Sequence, residues 1–216
     1  MRFAVGSTAP YTDKASLALT MAASPATFEC MANVSDTCAE APATDWVFGY
    51  GSLIYKVDFP YRRREVASIT GWMRRFWQGS HDHRGTPEAP GRVVTLLPAP
   101  GNVCRGMAYE VDHAVFEHLD HREKNGYQRH RVEIELVDAG GKVDGTLYVA
   151  GTDNPAFLGP AEPGEITGHI LSAHGPSGSN RDYLLQLDEA LREIGEEDPH
   201  VAELARRILA HGDGNG

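Results

Sequence analysis

Basic residues are in short supply: 20 lysines and arginines stand against 30 aspartates and glutamates in 216 residues, a formal net charge of -10. With no basic surplus there is no broad face to displace counterions from a phosphate backbone, which argues against nonspecific nucleic-acid binding. An anionic substrate would therefore need a local cationic pocket. Cysteine is equally scarce. Cys30, Cys38 and Cys104 form no metal-spaced pair, and an odd, low count argues against a disulfide framework and fits a reducing, cytoplasmic compartment. No apolar run approaches the roughly 20 residues of a membrane span. The stretch from Ala15 to Ala26 makes a poor signal peptide, because Asp13 and Pro10 sit among its leading residues and Thr, Ser and Pro interrupt the rest. There is no internal repeat and no Gly-x-Ser-x-Gly, so Ser52 reads as a turn hydroxyl rather than an acyl-enzyme nucleophile. His81 with His83, and His118 with His121, have metal-ligand spacing but no third ligand; neither a metal nor an organic cofactor is expected. Nothing in the chain calls for an obligate protein partner.

What is present falls into three parts. Residues 1–44 are rich in Ala, Ser, Thr and Pro without periodicity, and are expected to form a disordered or loosely attached leader; Met21 and Met31 are alternative starts. A folded body is expected over 45–211, with a flexible tail at 212–216. Strand patterns dominate its first half: Trp46–Phe48, Val66–Thr70, Arg74–Trp77, Arg92–Leu97, Arg105–Tyr109, Gln128–Val137 and Gly145–Ala150, separated by Gly and Pro clusters. One helix is expected inside this series, from Asp112 as N-cap to Lys124, stopped by Asn125-Gly126. The second half is helical. Gly164–Ala173 gathers Ile166, Ile170 and Leu171; Asn180–Ile194 gathers Tyr183, Leu184, Leu187 and Leu191; Val201–Leu209 repeats the pattern weakly. Strands followed by helices predict an α+β domain, a curved mixed sheet or small β-barrel with helices packed outside.

Two local patterns carry chemistry. The apolar strand Trp46–Phe48 runs into Gly49-Tyr50-Gly51-Ser52-Leu53. Glycines there let the backbone turn tightly and approach a ligand, and successive amides in such a turn form an anion-binding concavity; an ordinary tight turn reads the same way. In the helix, Val115, Phe116 and Leu119 define the buried stripe, and both the step of four from Leu119 and the step of seven from Phe116 land on Glu123. A carboxylate on a core-facing stripe near a helix C-terminus has its pKa raised by burial and by the helix dipole, which suits a general base. The alternative is a frayed helix end with Glu123 paired to Arg122, Lys124 or solvent. Arg84 and Arg92 flank the Gly/Pro-rich loop 85–91; they are either surface arginines or the cationic pocket that an acidic substrate needs.

These pieces recur together in a known family. Val47-Phe48-Gly49-Tyr50-Gly51-Ser52-Leu53-Ile54, Val57-Asp58-Phe59-Pro60-Tyr61, Arg75-Phe76-Trp77-Gln78-Gly79-Ser80, Asp82-His83-Arg84-Gly85, Pro90-Gly91-Arg92-Val93-Val94-Thr95-Leu96 and Arg122-Glu123-Lys124-Asn125-Gly126-Tyr127 occur in order. Asp153-Asn154-Pro155, Leu158-Gly159-Pro160 and Gly175-Pro176-Ser177-Gly178 follow. Over about residues 45–209 the chain resembles the ChaC family of glutathione-specific γ-glutamylcyclotransferases, departing from it mildly at Tyr55 and Asn125. The resemblance implies a γ-glutamylcyclotransferase-like fold and conversion of glutathione to 5-oxoproline and cysteinylglycine. It implies Glu123 as the catalytic acid/base and Tyr50, Gly51, Ser52 and Leu53 as the substrate loop. Tyr50 and Tyr127 are then candidate pocket walls or hydrogen-bond donors, and Arg84 and Arg92 candidate partners of the glycine carboxylate. Activity on other γ-glutamyl amino acids or amines, or a non-enzymatic binding role, are the alternatives.

Overall fold

The inward-facing residues of five strands form the interior of a closed barrel. The structure, a computed structural model, describes residues 43–213; residues 1–42 of the expected leader and 214–216 of the expected tail lie outside them, while Thr44, expected in the leader, begins the first strand. The strands are β1 (Thr44–Gly49), β2 (Arg63–Ser80), β3 (Gly91–Asp112), β4 (Gln128–Leu136) and β5 (Lys142–Val149). They are ordered β1-β3-β2-β4-β5 around the barrel. All neighbours are antiparallel except β1 and β5, which close the ring in parallel through Trp46, Val47 and Phe48 against Gly145, Thr146 and Leu147. The run Val47–Phe48 in β1 is buried rather than alternating, as in a strand with both faces covered. Phe48, Ile69, Leu96, Tyr109, Ile134 and Leu147 are all buried; removing such apolar surface from water is the main driving force for closure.

Two pairs of short expected strands are each one long strand. Val66–Thr70 and Arg74–Trp77 are continuous in β2, and Arg92–Leu97 and Arg105–Tyr109 are continuous in β3. The apparent breaks are at the bulge where Thr70 pairs with Val103 but Trp72 with Pro98. The intervening β3 residues are looped out opposite Gly71, so the Pro and Gly of this stretch bend the ladder without ending it.

Four α-helices are described: α1 (Val115–Arg122), α2 (Pro163–Ser172), α3 (Asn180–Glu193) and α4 (Pro199–Asp213). A two-stranded ribbon, β6 (His174–Gly175) with β7 (Gly178–Ser179), separates α2 from α3. The stripes of α2–α4 pack together and onto the barrel through Ile166, Ile170, Tyr183, Leu184, Leu187, Leu191, Val201, Leu204 and Ile208. Leu171, expected on the α2 stripe, is exposed; it is one residue, about 100°, past Ile170 around the helix. Asp112 does not cap α1. It is still paired with Thr44 at the end of β3, so the helix starts two residues later, with Ala114 at its N-cap and no side-chain cap. Among the described residues no helix is long and apolar enough to cross a membrane.

Candidate active site

A cavity of about 270 Å³ opens where β1 gives way to the loop after Gly49. Tyr50, Gly51, Ser52 and Leu53 line one side. The loop ends in a single 3-10 turn, Ser52–Ile54. Its hydrogen bonds use the amides of Ile54, Tyr55 and Lys56, donated to Gly51 O (3.0 Å), Ser52 O (3.1 Å) and Ser52 O (2.7 Å). The amides of Gly51, Ser52 and Leu53 therefore come ahead of the first amide the turn itself consumes. Neither glycine is needed for a left-handed backbone: Gly51 has φ -120. They are needed for clearance. A Cβ on Gly49 would stand 2.6 Å from Leu53 Cβ, and one on Gly51 3.1 Å from Val94 Cγ2 and 3.2 Å from the Tyr183 hydroxyl.

The barrel wall holds the loop by its carbonyls. Arg74 Nε donates to Tyr50 O (2.8 Å), Tyr109 OH to Leu53 O (2.5 Å), and an Arg64 terminal nitrogen to Ile54 O (2.9 Å). Arg74 is 1% exposed; its other nitrogens reach Asp198 Oδ2 (3.0 Å) and Arg105 O (2.6 Å). Asp198 in turn accepts the amides of His200 (3.0 Å) and Val201 (3.2 Å) at the start of α4. One buried guanidinium thus ties the loop, the barrel and a helix N-terminus.

Glu123 lines the same cavity. Its backbone is the C-cap of α1, with its N–H bonded to Leu119 O, and Tyr127 N donates to Glu123 O at 3.3 Å. The side chain is 17% exposed, with Oε1 3.2 Å from Arg122 Nε. Both expected features coexist: the core-facing position and the pairing with Arg122. Burial dominates and raises the carboxyl pKa; Arg122 opposes it, while Asp58 and Asp82 push upward. Arg122 also reaches Asp58 Oδ1 (2.6 Å) and Ser52 Oγ (3.2 Å), linking the helix end to the loop.

Tyr50, Tyr127 and Tyr183 complete the walls. Burial raises all three phenol pKa values, so each is a neutral hydroxyl at pH 7. Arg84, 8% exposed, lines the cavity with its guanidinium 5.3 Å from the Tyr183 ring centroid and a bond to Ser179 O (3.3 Å). Arg92 is different. It lies outside the cavity lining, and donates to Phe76 O (3.1 Å), Gly159 O (3.2 Å) and His169 Nδ1 (3.3 Å). Its expected place beside Arg84 is corrected: those acceptors turn its guanidinium into a brace between strands and α2.

Most of the chain is similar in sequence to known proteins. The profile of a family described as ChaC-like protein matches residues 45–211. The chain belongs to the ChaC family. ChaC relatives include Arabidopsis thaliana gamma-glutamylcyclotransferase 2-3, 43% identical over 175 residues that cover 76% of this chain and 87% of that protein. The Danio rerio glutathione-specific gamma-glutamylcyclotransferase 1 is 40% identical over 174 residues, 76% of this chain and 89% of that one. A crystal structure of the yeast gamma-glutamyl cyclotransferase specific to glutathione superimposes with TM-score 0.71 at 33% identity, covering 78% of this chain and 96% of that chain. The ChaC barrel with its outer helices is thus the γ-glutamylcyclotransferase-like α+β fold expected from the order of strands and helices.

The cavity of this ChaC chain also contains residues that periodicity alone did not single out. Tyr183 was visible only as a member of the α3 apolar stripe. Asp58, Asp82 and Arg122 stand in the motifs quoted above but break no apolar stripe, and they meet only in space. Gln78 in the cavity wall and Arg74 behind the loop did leave a signal. With Phe76 they occupy alternate positions of β2 that point inward, at 1%, 0% and 1% exposure, and a polar residue at an inward strand position is the strand counterpart of Glu123 on its stripe.

Proposed function

We propose that this protein is a glutathione-specific γ-glutamylcyclotransferase with Glu123 as its acid/base. The observation that carries the reading is the buried carboxylate of Glu123, its pKa raised, facing the same small cavity as the loop Tyr50–Leu53. Named relatives with this activity support the substrate assignment.

In a γ-glutamyl amide the α-amine can attack its own γ-carbonyl and close a five-membered ring, so no covalent nucleophile is required. The ammonium must first lose a proton. The Glu123 carboxylate accepts it, with a raised pKa that makes it a better base than an exposed glutamate. The amine nitrogen bonds to the γ-carbon and the carbonyl electrons move onto oxygen. Amides of Gly51, Ser52 and Leu53 stabilise that oxygen or the neighbouring glutamyl carboxylate. As the C–N bond breaks, Glu123 returns the first proton to the leaving nitrogen; the ring nitrogen then gives up its second proton through the freed Glu123 carboxylate to the released amine, leaving 5-oxoproline with one N–H and cysteinylglycine as its ammonium. Cavity walls from Tyr50, Tyr127 and Tyr183 keep the chain bent for ring closure, an orientation effect. Arg84 pairs with the glycine carboxylate. The catalytic unit is assigned to residues 45–211.

The test is release of 5-oxoproline from glutathione by the purified protein, with γ-glutamyl-alanine and N-acetyl-glutathione alongside. Glutathione is expected to be turned over well, γ-glutamyl-alanine poorly, and N-acetyl-glutathione not at all, because its nitrogen is no longer nucleophilic. Preference for γ-glutamyl-alanine would reassign the substrate; turnover of the N-acetyl compound would refute the cyclisation.

A further inference from the structure

Gln78 lies inside the cavity with one polar atom unaccounted for. Its side chain lines the site and is 1% exposed. The orientation of its amide follows from its neighbours. Asn154 Nδ2 must donate, because it faces Asn125 O at 2.9 Å, and Asn154 Oδ1 must accept, because it takes the backbone N–H of Ala156 at 2.8 Å. Gln78 meets that same Oδ1 at 3.1 Å, so it presents its NH₂. Oε1 is left over and has no partner among the described residues. A buried acceptor without a donor is costly, and the side chain that carries it lines the cavity.

The network also sets where Gln78 stands relative to Glu123. Asn154 holds the turn that follows Glu123, through Asn125 O. It presses against Gly126, where φ is +84 and a Cβ would come within 2.6 Å of Asn154 Nδ2. Gln78 and Glu123 are thus fixed to one short turn, both facing the cavity.

We infer that Gln78 contacts the substrate, its Oε1 accepting a hydrogen bond from the primary amine of the γ-glutamyl group beside Glu123; this rests on the proposed cyclotransferase reading. The head of a γ-glutamyl compound offers a carboxylate and a carbonyl, which only accept, and an amine, which donates. After Glu123 takes one proton, the amine keeps two N–H bonds. Holding one of them aims the nitrogen lone pair at the γ-carbon. An amide oxygen is too weak a base to take the proton itself, so it orients the nucleophile without competing with Glu123. The residue is then a device for recognising a free primary amine.

The experiment compares Gln78→Met and Gln78→Glu with wild type, using glutathione as substrate and glutaryl-cysteinylglycine, which lacks only the amine, as a competitive inhibitor. Gln78→Met is expected to lower kcat/KM for glutathione about 10- to 100-fold, while the inhibition constant of the deamino compound changes less than about twofold. Gln78→Glu keeps an oxygen in place and adds a like charge beside Glu123, so the acid limb of its kcat/KM profile moves to higher pH. Equal weakening of both ligands by Gln78→Met, or no weakening of either, overturns the inference. If Gln78→Met does not fold, an unmoved acid limb in Gln78→Glu overturns it. Wild-type protein that releases no 5-oxoproline from glutathione removes the cyclotransferase reading and this inference with it; wild-type turnover with equal losses removes the inference alone.

Discussion

Replacing Glu123 with glutamine separates catalysis from stability, because the two are expected to move in opposite directions. The amide has nearly the same shape but exchanges no protons. If Glu123 both takes the amine proton and returns it to the leaving nitrogen, kcat should fall by about 10² to 10⁴, or about 3 to 5 kcal/mol of barrier. Stability follows from the sign of the pKa shift. The folded-state pKa is raised, first by burial and then by Asp58 and Asp82, with Arg122 only partly offsetting them. The folded protein therefore binds this proton more tightly than the unfolded chain does. Stability from this group is greatest below the ordinary glutamate pKa, falls as pH rises through the raised folded pKa, and is lowest above it, where the carboxylate is ionised. Glutamine resembles the protonated form, so the variant should melt at the same temperature as wild type or higher at pH 7. Each kcal/mol recovered corresponds to about 2 to 4 °C in a domain of this size. The advantage should vanish at acid pH, where wild-type Glu123 is protonated as well. For wild type the same shift places the acid limb of kcat/KM above the ordinary carboxylate range. Activity is read as 5-oxoproline release and stability as thermal melts at pH 7 and at acid pH. A folded variant that keeps more than about a tenth of wild-type kcat, a loss under about 1.4 kcal/mol, would remove Glu123 as the base. A melting temperature several degrees lower at pH 7 would show that the Arg122 pair, not burial, governs the site.

Other parts of the site make separate predictions. Arg74→Met strands the largely buried Asp198 carboxylate and releases Tyr50 O; a loss of about 3 to 5 kcal/mol of stability is expected by chemical denaturation, and an unchanged midpoint would deny the clamp. Arg84→Ala should raise KM for glutathione far more than for its glycine-amide analogue, with kcat little changed, because the carboxylate is held equally in ground and transition states; equal losses on both substrates would take Arg84 off the carboxylate. Removing residues 1–42, which leaves Thr44 free to pair with Asp112 at the start of β1, should change neither 5-oxoproline release nor melting temperature, and a large drop in either would place part of the folding unit in the leader.

How far the sequence reveals this molecule depends on whether a feature repeats along the chain or forms only across it. Helix α3 was legible because Tyr183, Leu184, Leu187 and Leu191 repeat at helical spacing and all are buried. Helix α1 was legible as a helix, but its start was not. Whether Asp112 caps a helix or finishes a strand depends on Thr44, 68 positions away in sequence and opposite it in the ladder. The strands of β2 and β3 looked broken because Gly71, Pro98 and Gly101 are turn residues in any local reading; only the partner strand shows them to be a bulge.

The same distinction runs through the site. Glu123 stood out because it interrupts a stripe, and the structure places it at the cavity wall. Arg74 and Gln78 interrupt the inward face of β2 in the same way, yet a strand of period two gives few positions to establish a face, and Trp72 and Trp77, only partly buried, blur it. Arg84 and Arg92 show the opposite limit. Both flank one loop and both are 8% exposed, so neither spacing nor burial separates them. What separates them is which acceptors meet each guanidinium. Arg92 is consumed by Phe76 O, Gly159 O and His169, three groups from three segments. Arg84 is stacked near Tyr183 inside the cavity. A charge becomes a binding group or a brace according to the partners that the fold brings to it, and those partners are set by closure of the barrel and not by the residues beside it in the chain.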